Sequence, residues 1–229
     1  MDGDRRLDIM RNHTATHLLQ SALRKVLGSH VEQAGSHVAP NRLRFDFTHY
    51  GALSKQDLRA VADIVNGHVM ENLPVACAEM DLEEARKSGA LMFFGEKYDA
   101  RVRVVSVGGV SKEFCGGTHL DRSGTIGSFA VTAESSVASG VRRIEAVTGK
   151  GAIGHAQSES ETLDALSSLL SSGRASLVER TKNLLGEIKE LKSEIGALRK
   201  KGGGSSVESL LQSARVVGNE RIVVSTVEG

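Results

Sequence analysis

Tryptophan is absent from this chain, aromatic residues make up only 3%, and 229 residues include just two prolines and two cysteines. A core with so few rings must rest on Leu, Val, Ile and Ala. Two thiols, Cys77 and Cys115, cannot build a disulfide framework, which points to a reducing, cytoplasmic setting. Cys77, set in PVACAEM, reads as a small buried residue. No stretch approaches the roughly 18 uninterrupted apolar residues of a membrane span. The opening MDGDRRLDIM has no apolar h-region, so no secretory signal is read there. Charge of one sign is missing too: 29 Lys and Arg face 28 Asp and Glu, for a net charge of +1. That excludes a polybasic protein, so any contact with nucleic acid must come from a local patch.

What the chain does have is periodicity. Over residues 8–28, Ile9, Leu18, Leu19, Ala22, Leu23, Val26 and Leu27 recur at helical spacing, and Gly28 is a fitting stop. Residues 30–50 read as strand, turn, strand, with Leu43, Phe45 and Phe47 alternating with Arg44 and Asp46. A second helix is predicted over 54–73, with Ser54 and Asp57 suited to its first turn. Residues 74–80 read as a short strand and 81–89 as a short helix ended by Gly89. A hairpin over 101–117 turns at Gly108–Gly109, and two more strands fall in 124–136 and 140–149. Helices and strands mix without a βαβ rhythm, which predicts an α+β fold with a mainly antiparallel sheet.

The texture changes after Gly149. Leu163, Leu170, Leu177, Leu184, Leu191 and Leu198 fall at seven-residue steps, with Leu166, Ile188 and Ile195 between them. This is a coiled-coil pattern, interrupted by SSGRAS at 171–176, so a helical hairpin and a single rod both remain open. KGGGSS at 201–206 reads as a flexible linker. The remainder reads as a helix, a Gly-Asn turn and one strand, too little for a domain. The expected division is a metal-containing domain over 1–150, a helical hairpin or coiled coil over 151–201, and over 202–229 a linker with an incomplete further domain.

Two short stretches carry chemistry. HTATH places His13 and His17 four residues apart, hence on one helix face. CGGTH brackets Gly116 and Gly117 with Cys115 and His119, and the glycines permit a tight turn, with positive φ if needed. Each half alone is a weak signal, since histidines at this spacing are common on surfaces. Together they make a Cys/His₃ donor set, which suits zinc. A zincin-type peptidase is excluded, because the general-base Glu that must follow the first His is Thr14 here. No serine sits in a GxSxG elbow, which argues against a serine hydrolase.

The stretches RNHTATHLLQSAL, HVEQAGSHVAPNRLRFDF, EKYDARVRVVSVG, EFCGGTHL and GVRRIEAVTG closely resemble the editing domain of alanyl-tRNA synthetases, shared by free-standing editing proteins. The resemblance runs from about residue 4 to 150. Residues 155–201 resemble the helical linker of these enzymes, and the last segment the opening of their C-terminal domain.

This resemblance implies a deacylase that hydrolyses the ester of tRNA(Ala) mischarged with Ser or Gly. An alanine pocket cannot exclude glycine by size and rejects an added hydroxyl poorly, so a second site is needed. It implies a Zn²⁺ ion on His13, His17, Cys115 and His119. It places Gln33 in the pocket, while Thr14 and Thr16 on the metal helix are candidates to meet the seryl hydroxyl. Backbone N–H groups at Gly116 and Gly117 are candidates for an ester oxygen. Arg142, Arg143 and Arg11 are candidate contacts for tRNA phosphates. Expected partners are the tRNA(Ala) acceptor end and a second copy through the helical segment, with no membrane. The competing reading is a zinc-stabilised tRNA-binding module without hydrolysis.

Overall fold

The structure is a computed structural model and describes residues 2–92, 98–212 and 214–223. In chain order its elements are α1 (Gly3–Leu27), β1 (Gln33–Val38), β2 (Leu43–Thr48), α2 (Lys55–Met70), β3 (Val75–Asp81), α3 (Leu82–Lys87), β4 (Arg101–Val107) and β5 (Ser111–Phe114). There follow β6 (Phe129–Ala138), β7 (Val141–Thr148), α4 (Gly149–Leu169), α5 (Leu177–Gln212), β8 (Arg215–Val217) and β9 (Glu220–Ile222). The chain divides into two compact units, Met1–Glu159 and Ser160–Gly229.

In the first unit, α1 starts five residues earlier than its apolar pattern, because the Asp2 carboxylate caps it by accepting from the Arg5 N–H at 3.1 Å. It stops at Gly28, whose φ of 116° lies where a Cβ is disfavoured. The helix packs with α2 against a four-stranded antiparallel sheet of order β1-β2-β7-β6. The core between them holds Leu18, Leu19, Leu23, Phe45, Phe47, Val61, Val65 and Ile144, all fully buried. On β2 the expected alternation fails, because Asp46 is buried along with Phe45 and Phe47. Arg143 stands directly opposite on β7 and donates to both Asp46 oxygens at 2.7 and 2.8 Å, which makes that burial tolerable.

A second antiparallel sheet, β3-β4-β5, forms the hairpin side of this unit, turning at Gly108–Gly109 as its sequence predicts. A smaller core of Ala85, Val102, Val104 and Phe114 lies beneath it, with Tyr98 edge-on to Phe114. Cys77 on β3 is exposed, contrary to the expectation of burial.

In the second unit the helical pattern breaks where SSGRAS predicts. Ser171 has φ 47°, a 3-10 turn spans Arg174–Ser176, and the Arg174 guanidinium ties this turn to Asp164 and Ser160. Of the leucines at seven-residue steps, Leu163, Leu191 and Leu198 are exposed on the single chain, Leu198 at 60%, while Leu170 and Leu184 are half-buried and Leu177 is buried. Helix α5 runs on through 201–206, where a flexible linker is expected. Propagating a formed helix adds one hydrogen bond per residue, which offsets the low helix propensity of the glycine run. Beyond it, Arg215–Val217 and Glu220–Ile222 pair as a hairpin, where a lone strand is expected. Among the described residues no helix is long and apolar enough to cross a membrane.

Candidate metal centre

Helix α1 presents His13 and His17 on one face, as the four-residue spacing requires. Strand β5 then delivers Cys115 and the loop to His119 against that face. The Cys115 N–H donates to the Arg103 carbonyl at 3.0 Å. The Arg103 guanidinium in turn donates to the carbonyls of Cys115 and Gly117, so one β4 side chain clamps the loop from inside. Neither Gly116 nor Gly117 takes a positive φ. Gly117 is required for a different reason: a Cβ there would stand 2.0 Å from His13 Cε1, whereas one at Gly116 would meet nothing.

The outcome is one cluster. One donor atom from each of His13, His17, Cys115 and His119 falls within 4.8 Å of all the others. The Cys115 sulfur lies 3.4 Å from His13 Nε2 and 3.2 Å from His119 Nε2. The rings of His13 and His119 are 4.2 Å apart between centroids. His17 and His119 are buried and His13 and Cys115 half-buried, so the cluster opens on one side.

The two inner histidines are held from behind. His17 Nδ1 lies 2.7 Å from Glu113 Oε2, an ion-pair contact off hydrogen-bond alignment, and both side chains are 4% exposed. The Ser111 hydroxyl donates to the other Glu113 oxygen at 2.8 Å. Thr14 Oγ1, fully buried, accepts from the Leu120 N–H and lies 3.4 Å from His119 Nδ1. Each inner ring therefore turns its Nε2 toward the cluster. Such carboxylate and hydroxyl partners are what fix the orientation of metal-binding imidazoles.

Burial pushes the Cys115 thiol up, but contacts with His119, His13 and His17 outweigh it and bring its pKa down to about 3. Burial likewise pushes His17 down, while the Glu113 charge and the Cys115 sulfur carry it up to about 10. For His119 burial prevails, and its pKa is lowered. A low-lying thiol beside three imidazole rings forms a donor set that a cation satisfies by taking the place of the proton on His17. His17 Nε2, buried without an aligned hydrogen-bond partner, supports the same reading. The four residues fit a metal ion, and their chemistry is consistent with zinc.

The remaining sequence candidates scatter. Thr14 lies behind the cluster rather than in its mouth. Thr16 donates to the Asn12 carbonyl of its own helix at 2.8 Å. Gln33 sits on β1 and donates to Ser36 Oγ at 2.9 Å. Arg142 is engaged by Glu134 at 2.6 Å, Arg143 by Asp46, and Arg11 by Asp8 and the Thr125 carbonyl at 2.8 and 2.9 Å. Sequence reasoning missed Ser111, Glu113 and Arg103. A signal was present for the first two, because Ser111, Glu113 and Cys115 alternate and so share one side of an extended strand.

Two clefts adjoin this region. One of about 500 Å³ is lined by Ser21, Arg24, Ser111, Lys112 and Glu113 and includes none of the four cluster residues. The other, of about 300 Å³, includes Thr118 of the loop itself.

Residues 102–145 match the threonyl and alanyl tRNA synthetase second additional domain. An alanine–tRNA ligase from Acetivibrio thermocellus is 47% identical over 98% of this chain, and one from Desulforamulus reducens is 45% identical over 99% of it. In each case the chain spans 26% of the relative's length.

Proposed function

We propose that this chain, an alanyl-tRNA synthetase-related domain, is a deacylase that hydrolyses the ester of tRNA(Ala) mischarged with serine or glycine. The observation that carries the reading is the half-open cluster of His13, His17, Cys115 and His119, within a region of high identity to alanine–tRNA ligases.

In this reading the four residues hold a Zn²⁺ ion. Bound there, zinc supplies a fixed positive charge that orders the pocket and favours negative charge developing on an ester oxygen. The chain's own residues do the rest. Glu113 and Thr14 set the inner imidazoles, and the Arg103 clamp keeps the loop in place. Gly116 leaves its backbone uncovered at the mouth, where the main chain can face the ester. Gln33 enters as a pocket-lining amide. Arg11, Arg142 and Arg143 enter as tRNA-facing cations that a phosphate would share with their present partners.

The helical segment supports a parallel homodimer in a cytoplasmic setting. Along α5, Leu184, Leu191 and Leu198 alternate with Ile188 and Ile195, the branched-at-a, leucine-at-d pattern of two-stranded coils. In that register Glu187 meets Lys192 of the second copy, and Glu194 meets Arg199.

The test is release of amino acid from Ser-tRNA(Ala), Gly-tRNA(Ala) and Ala-tRNA(Ala). Fast loss of Ser or Gly with Ala spared is expected. Binding of tRNA with every ester left intact would select the non-hydrolytic binding module instead.

A further inference from the structure

Gly116 and Thr118 of the cluster loop are exposed, and Thr118 borders the start of α1. A cleft of about 300 Å³ there is lined by Asp2, Arg5, Arg6, Ile9 and Thr118, next in the loop to His119 but including none of the four cluster residues. Ile9, His13 and His17 follow at four-residue steps, so one helix face runs from the cleft into the cluster. At 1.5 Å per residue, Ile9 lies about 6 Å and Arg6 about 10 Å along the axis from His13, toward the helix start. Both arginines are exposed, and Ile9 is half-buried between them and the cluster.

We propose that this cleft holds the 3′-terminal nucleotide of the tRNA, with Arg5 and Arg6 taking the phosphodiester that precedes its ribose. The proposal rests on the deacylase reading above. The ester hangs from a ribose hydroxyl, and that phosphodiester leaves the ribose from the opposite side. With the ester at the cluster, the phosphate points back along α1 toward the two guanidinium groups. Arginine forks suit a phosphate diester, and the positive end of the α1 dipole lies at the same place. Asp2, the one acid in the lining, is turned to the helix, where it accepts the Arg5 N–H. Ile9 offers apolar surface to the sugar and base. The free ammonium of the aminoacyl group is a cation, so two arginines repel it from this cleft and leave it to the cluster side. The cleft therefore takes the nucleotide and the cluster mouth takes the amino acid.

The probe is the trinucleotide CCA, titrated against the intact chain and against the double variant Arg5→Ala/Arg6→Ala at several salt concentrations. Affinity is expected to fall about tenfold or more in the variant. The slope of log affinity against log salt should shrink by about 0.7, for one phosphate contact on a single strand. Arg5→Lys/Arg6→Lys keeps the charges and should restore most of the slope, which separates charge from misfolding. Equal affinity and equal slope in native and Ala variant would overturn the assignment, as would a native chain that does not bind the trinucleotide. A native chain that binds through these arginines yet leaves seryl esters intact would sink the deacylase reading alone.

Discussion

At the residue scale, the centre depends on side chains that never touch the ion they would serve. Glu113 lies behind His17, buried and fixed by Ser111. Glu113→Ala should weaken metal binding by about 10- to 100-fold, with Glu113→Gln between it and native, since Gln keeps an acceptor oxygen. Competition against a chelator measures this, and unchanged affinity in Glu113→Ala would refute the positioning role. The two loop glycines offer a sharper contrast. Gly117→Ala drives a methyl into the His13 ring and should release metal and cost about 1–3 kcal/mol, whereas Gly116→Ala meets open space and should do neither. Thermal melts with bound-metal assays on the pair check it.

The four metal-binding candidates were legible in sequence because each pair is local, four residues apart within HTATH or CGGTH. Their partners were only partly legible: the alternation of Ser111, Glu113 and Cys115 puts Glu113 on the side of Cys115, but that Glu113 meets His17 and Thr14 meets His119 follows only from the docking of α1 on β5. The same holds for Arg143. Its pairing with Asp46 follows from the β2–β7 register, which no local pattern reveals.

At the scale of elements, local chemistry set most boundaries. Ser54 and Asp57 form a reciprocal cap at the start of α2, the Ser54 N–H donating to the Asp57 carboxylate at 3.0 Å and the Asp57 N–H donating to Ser54 Oγ at 3.1 Å. The Ser54 hydrogen bonds hold the Asp57 carboxyl below its ordinary 3.8. A lowered folded pKa adds stability that is present above 3.8 and lost as pH falls through the folded value. Asp57→Asn should therefore melt lower than native at neutral pH, with the gap closing as the pH drops below about 4. A gap independent of pH would contradict the cap.

The α5 pattern makes a second prediction. Leu191→Glu should convert a dimer to a monomer by light scattering with the first unit still folded, while a native chain monomeric at micromolar concentration would count against the dimer. Where prediction missed an element, the cause was context. The run at 201–206 lies on a long helix that carries through it, and β8 found a partner in β9 across the Gly218–Asn219 turn.

At the scale of the whole molecule, the α+β architecture has one evident use. Two sheets and two helices bring the middle of α1 and the end of β5 together, joining residues 102 positions apart in the chain. The absence of tryptophan and the scarcity of rings are met by a Leu/Val/Ile core anchored on Phe45 and Phe47. The near-neutral charge fits a protein whose sheet arginines are balanced locally, Arg142 by Glu134 and Arg143 by Asp46.

The central claim is that His13, His17, Cys115 and His119 form one metal site. The most direct test is metal content per chain, native against Cys115→Ala, after exhaustive dialysis. About one zinc per native chain and almost none in the variant is the predicted result, since removing the thiolate breaks a four-donor set. Equal zinc in both would contradict it.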